Sequence, residues 1–159
     1  WSFRACWTSK KTEEYIFSLY GSYVYVGTHT FRHEEGYNNF VQRSMPLGWQ
    51  NGSDGKEIKI GLKYFNKKDL IFNLDIISNE IGSNSLIYSP YKPYSGYKSG
   101  PFPSGIVSKS LSIVAESQWW WKPNISAFSE IKFSKFNDDN FTVNLIIGFD
   151  FFISNSLKF

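Results

Sequence analysis

Seven stretches of this chain alternate apolar and polar side chains with a period of two: residues 1–8, 14–27, 57–65, 69–78, 107–121, 125–136 and 141–153. That period belongs to extended backbone, because successive side chains on a strand point to opposite faces. The last stretch is the most regular. Phe141, Val143, Leu145, Ile147, Phe149, Phe151 and Ile153 take every second position, and Thr142, Asn144, Gly148 and Asp150 stand between them. Convincing helical periodicity is absent, so the expected fold class is all-β.

The polar faces decide which all-β architecture to expect. They carry Glu57, Lys59 and Lys63, then Asn73 and Asp75, then Glu116 and Gln118, then Glu130 and Lys132, then Asn144 and Asp150. Sandwich strands usually run to about five or six residues and pack their apolar face inward. Several stretches here reach ten or more. A transmembrane barrel inverts the pattern: apolar residues meet lipid, polar ones line the lumen, and about ten tilted residues cross the bilayer.

The connections follow the same logic. Short turns, "FNKKD" at 65–69 and "KPN" at 122–124, alternate with long connections at 28–55 and 79–106. Outer-membrane barrels have short periplasmic turns and long external loops. If the last strand ends in the periplasm, both short turns fall on that side, and "FNDDN" at 136–140 becomes a short external turn. Tyr15, Phe17, Tyr64, Phe65, Trp119, Trp120 and Trp121 then sit near the periplasmic strand ends, where amphipathic rings favour the membrane interface. The expectation is an antiparallel up-and-down transmembrane β-barrel, or the C-terminal part of one. It forms a single domain over residues 1–159 with about seven to eight strands and external loops 28–55 and 79–106. Bacterial single-chain barrels have even strand numbers, so seven stretches imply a missed strand or a piece of a larger barrel. A Trp in first place with no charged-then-apolar leader also suggests a mature form or a fragment.

Composition narrows the function. Net charge is only +3 and scattered, which argues against nucleic acid. One Cys and two His are a poor inventory for zinc. A run of eighteen apolar residues, as a membrane-spanning helix would need, is missing. No Ser-His-Asp grouping, phosphate loop or carboxylate pair stands out, so neither catalysis nor a cofactor is expected.

A terminal Phe159 in phase with Leu157, Ile153 and Phe151 is similar to the assembly signal of bacterial outer-membrane barrels. It implies the barrel-assembly machinery and outer-membrane lipid as partners and the bacterial outer membrane as location. The stretch "YVYVGTHTFRHEEGYNNFVQRSMPLGWQNGSDGKEIKIGL" resembles the capsule-assembly (Wzi-type) outer-membrane barrel family. The residues that carry the likeness are Tyr25, His29, Gly36, Tyr37, Arg43, Leu47, Gly48, Gly52 and Asp54, and "LSIVAESQWWWKPN" adds to it. Trp49 stands where the family pattern has His, and the order Lys122-Pro123-Asn124 replaces Asn-Pro. The resemblance implies a barrel of about eighteen strands that holds capsular or other surface polysaccharide, with this chain as roughly its last third.

Candidate contacts lie in the two long loops. Sugar recognition pairs flat aromatics with planar amide, guanidinium or carboxylate groups. Loop 28–55 supplies both kinds in Arg32, Tyr37, Arg43, Trp49 and Asp54, though a self-packed loop would use the same residues. In "YSPYKPYSGYKSGPFPSG", Tyr88, Tyr91, Tyr94 and Tyr97 recur every third residue, which a polyproline II helix would align on one edge; the alternative is a turn-rich loop with the rings as its local core. His29 and His33, about 13 Å apart on an extended strand, do not suit one metal ion. The alternating signs of the polar-face charges point to cross-strand pairs rather than to a single-sign pore. The leading function is binding or anchoring of surface polysaccharide in capsule assembly. Rival readings are a structural outer-membrane component of an adhesion or gliding machinery and a soluble all-β adhesin or lectin domain.

Overall fold

The structure is a computed structural model and describes residues 1–9, 14–93, 100–137 and 139–151. Seven strands form one antiparallel sheet. They are β1 (Ser2–Ser9), β2 (Ile16–Val26), β5 (Gly55–Phe65), β6 (Leu70–Gly82), β7 (Val107–Lys122), β8 (Ile125–Phe136) and β9 (Thr142–Phe151). A two-stranded ribbon of β3 (Val41–Gln42) and β4 (Met45–Pro46), with a single 3-10 turn at Gly36–Asn38, sits inside the first long loop. Each strand of the main sheet pairs with the next of that sheet along the chain, the up-and-down order expected. Among the described residues β1 and β9 are edges and do not pair with each other, so the sheet is open rather than a closed barrel.

Register sorts the side chains into two faces, because partners across an antiparallel ladder share a face. Cys6, Tyr20, Gly61, Asp75, Val114, Lys132 and Asn144 form one continuous row across the sheet. Counting by twos from that row puts Arg4, Ser22, Lys59, Lys63, Asn73, Glu116 and Glu130 on the same polar face. The opposite face carries Phe3, Trp7, Leu19, Ile58, Ile60, Leu74, Ile76, Leu111, Ile113, Phe133, Val143, Leu145, Ile147 and Phe149. Among the described residues nothing covers this apolar face: Leu145, Ile147 and Phe149 are 60%, 65% and 65% exposed. At the long-loop end it closes on charge, with Lys56 and Glu80 paired at 3.0 Å. That ion pair explains why β6 runs to Gly82, beyond the expected end at residue 78: Ser78, Asn79 and Glu80 interrupt the apolar alternation yet keep the ladder to β5 and β7.

Rings gather at the short-turn end, but not on one face. Tyr15 and Tyr64 lie 6.2 Å apart and share the apolar side with Phe17 and Trp119. Phe65 and Trp120 fall on the other side, where with Ile71 they line a cavity of about 500 Å³. A bulge between Trp120 and Lys122 shifts the register there and leaves Trp121 74% exposed. The rings thus share a depth along the strands and alternate between the two faces, because consecutive residues of a strand point to opposite sides.

The turn at 66–69 is held by one side chain. Asn66 Oδ1 accepts the backbone N–H groups of Lys68, Asp69 and Leu70 at 3.0, 3.0 and 2.9 Å, and its amide donates to Asp69 Oδ1 at 2.6 Å. The Asn66 amide, followed by the Trp119 indole N–H at 3.1 Å, holds the Asp69 carboxyl below the usual carboxylate range. Asn66→Ala strips three N–H groups of their acceptor and should destabilise the β5–β6 hairpin by about 1–2 kcal/mol, as loss of a helix cap does. Equilibrium unfolding of the variant checks this; an unchanged midpoint would show that water replaces the side chain at no cost.

Candidate functional site

The two long loops, residues 27–54 and 83–106, leave the same end of the sheet and lock together through buried polar side chains. Asp54 is completely buried and adopts a left-handed backbone, φ 59°. Its carboxylate accepts from Thr28 Oγ1 at 2.7 Å, Ser104 N at 2.9 Å and Ser104 Oγ at 2.7 Å, tying the start and end of the first loop to the end of the second. Gly82 lies directly against that carboxylate, and a Cβ there would collide with it.

Arg32 performs the same task higher in the loops. It is buried, and its guanidinium donates to the carbonyls of Thr28 (3.2 Å), Asn84 (2.5 Å), Ser89 (2.9 Å) and Lys92 (2.8 Å). A guanidinium has five fixed N–H donors, so four carbonyls nearly exhaust it. Asn39 adds donation to Pro90 and Lys92 carbonyls at 2.9 and 3.0 Å and accepts His33 N–H at 2.7 Å. Ser85 Oγ donates to Asn51 O at 2.7 Å, and Leu86 beside it is fully buried.

The residues singled out from the sequence thus divide. Arg32 and Asp54 are struts inside the loop assembly and do not face solvent. Trp49 is half-buried, its ring over Gly55, where a Cβ would meet Cη2 and Cζ3 at 3.1 Å. Tyr37 and Tyr91 are 73% and 53% exposed, and Arg43 is exposed as well. Tyr94, Tyr97 and Phe159 lie outside the described residues. The polyproline arrangement does not hold over the described part of the Tyr run. Tyr88 N–H and Ser89 N–H both donate to Ser85 O, at 3.1 and 3.0 Å. Polyproline II has no such internal bonds, so residues 85–89 form turns.

Those turns bring Tyr91 to the tip of the first loop. Arg43 and Ser44 both have positive φ, 50° and 65°, closing the β3–β4 ribbon with the turn chirality that suits twisted strands. Ser44 Oγ then stands 3.3 Å from Tyr91 OH. Gly36 packs against the Tyr91 backbone so closely that no side chain fits, which sets Tyr37 beside the same segment. The loop tip therefore brings the Ser44 hydroxyl to the Tyr91 hydroxyl, with the exposed Arg43 next to Ser44 in the chain and the exposed Tyr37 next to Gly36. Chemically that is ring surface plus planar and hydroxyl hydrogen-bonding groups, without a base–nucleophile pair. Among the described residues no group of three His, Cys, Asp or Glu is placed to hold a metal ion.

Ser44 is not marked by the sequence, and the building roles of Gly36 and Asn39 depend on partners about fifty residues away. No known family model, curated protein or solved structure matches this chain.

Proposed function

We propose that this chain is wall and loops of an outer-membrane β-barrel that binds or anchors surface polysaccharide through its loop tip. The observation that carries the reading is an apolar sheet face open to its surroundings opposite a face that carries charged side chains such as Arg4, Lys59, Asp75, Glu116 and Lys132. Fully burying a Leu, Ile or Phe side chain is worth about 1.5–3 kcal/mol, so Leu145, Ile147 and Phe149 at 60–65% exposure cost stability that acyl chains would return. Dimensions agree. Eight steps from Val143 to Phe151 in β9 cover about 27 Å of strand at about 3.4 Å each, and a tilt of about 40° brings this to roughly 20 Å, near the apolar band of about 25 Å in such barrels. An open sheet of this length would be completed by further strands, and its edges are available for them.

The glycan half of the proposal rests on the loop tip. Arg32 and Asp54 hold the loops rigid, and rigid loops lose little entropy on binding. Tyr37 and Tyr91 offer rings for the apolar face of a sugar, while Arg43 and Ser44 offer hydrogen bonds to its hydroxyl or carboxylate groups. The likeness of residues 23–62 to capsule-assembly barrels favours the same ligand class. Tyr91→Ala combined with Arg43→Ala should weaken binding to surface polysaccharide at least about tenfold, as expected when anchor residues are truncated. Affinity measured by glycan array or calorimetry decides; equal binding by the double variant would remove the loop tip from recognition.

A further inference from the structure

We propose that the polar face of the sheet carries a second binding site, built around Tyr20 and suited to one anionic pyranose such as a hexuronate. It is separate from the loop tip and independent of the membrane reading.

The site begins with a lock across three strands. The Tyr20 ring lies over Gly61 on β5, where any Cβ would collide with it, and its hydroxyl donates to Asp75 on β6. Asp75 also accepts from Lys59 Nζ at 2.8 Å, so that carboxylate is engaged by both partners and its charge is balanced within the lock. Gly61 has no other evident purpose, since glycine weakens a strand unless something must approach its backbone. The result is a buried ring, 7% exposed, packed against Gly61 and fixed in place between the strands.

Two further cations flank that ring. Arg4 Cζ and Lys63 Nζ are each 5.6 Å from the Tyr20 centroid. The ion pairs found among the described residues are Lys56–Glu80 and Lys59–Asp75, which leaves Arg4 and Lys63 without a carboxylate partner. Ring attraction holds cations near without neutralising them. Between them lies a cavity of about 220 Å³, completed by Ser22, Asn73 and Glu116. Glu116 accepts the Asn73 amide at 3.2 Å. Arg4, Lys59 and Lys63 against Asp75 and Glu116 leave the lining one positive charge in excess, which selects a monoanion.

The chemistry also selects a sugar over a bare ion. Drug-sized ligands occupy pockets of about 300–1,000 Å³, so this cavity suits a single ring. A guanidinium and an ammonium reach a carboxylate, and the Ser22 hydroxyl and Asn73 amide reach ring hydroxyls.

The test is calorimetric titration of the purified protein with glucuronate at low salt, with glucose as the neutral counterpart. Glucuronate should bind and glucose should not. Arg4→Gln and Lys63→Gln, both at exposed positions, should each weaken glucuronate by roughly five- to tenfold, as loss of a charge-assisted contact does. Lys109→Gln with Lys135→Gln, which removes charge elsewhere, should have no effect, and Tyr37→Ala with Tyr91→Ala should also leave glucuronate binding intact. The inference is overturned if glucuronate does not bind, if glucose binds equally, or if Arg4→Gln and Lys63→Gln change nothing. Equal losses in the Lys109/Lys135 variant, or loss in the Tyr37/Tyr91 variant, overturn it too. Because that last variant disables the loop tip alone, failure of the polysaccharide proposal and failure of this one are read separately.

Discussion

Ile147→Arg should destabilise the folded protein in lipid vesicles by about 2–4 kcal/mol, while Phe151→Arg on the same face should cost only about 0–1 kcal/mol. The difference follows from depth: an arginine at the bilayer midplane is far more expensive than one near the interface. Ile147 sits at the middle of the Val143–Phe151 row and Phe151 at its C-terminal end. Both side chains are largely exposed, 65% and 69%. On a water-facing sheet neither change should exceed about 0.5 kcal/mol, because exposed substitutions away from special features are nearly neutral. A face packed on another protein layer would make both costly, with no gradient along the strand. Unfolding titrations of both variants in vesicles separate the three cases, and a flat response would exclude lipid as the covering medium.

The second large effect concerns the loops. Asp54→Ala removes the acceptor of three hydrogen bonds from a fully buried position, stranding Thr28 Oγ1, Ser104 N and Ser104 Oγ. Each bond to a charged group is worth about 1.5–3 kcal/mol, and losses within one network do not simply add. A destabilisation of about 3–5 kcal/mol is therefore expected, concentrated in the loops rather than the sheet. Alanine also tolerates the φ of 59° poorly. Asp54→Asn, which accepts the left-handed backbone and retains one acceptor oxygen, should cost less. Hydrogen exchange resolved by segment makes the check: faster exchange over 27–54 and 83–93 with unchanged β5–β8 supports it, while uniform protection in both variants would show that the carboxylate is dispensable.

Much of the sheet could be read from the residues. Strand existence and facing follow from a period of two, so Leu145, Ile147 and Phe149 had to share a side wherever the strand went. The turn within 65–69 is legible as a short break between two alternating stretches. Strand ends were less legible: β6 outruns its apolar alternation because the Lys56–Glu80 pair continues the ladder in polar currency. The tryptophan run lies at the short-turn end of β7, and its neighbours Trp119 and Trp120 part to opposite faces as strand geometry requires.

The loops show where reading residue by residue stops. Arg32, Arg43 and Asp54 have the same apparent credentials for sugar contact, yet burial consumes Arg32 and Asp54 and leaves Arg43 outside. Their partners, Ser89 and Ser104, are 57 and 50 positions away. Nothing local encodes such pairings. Alternation by itself determined an antiparallel all-β chain with one oily and one polar face, because strand geometry imposes that periodicity on every side chain. Which charged groups became struts, how Ser44 met Tyr91 at the loop tip, and how Tyr20 came to lie on Gly61 were decided by tertiary structure alone, since only folding sets the distances between residues remote in the chain.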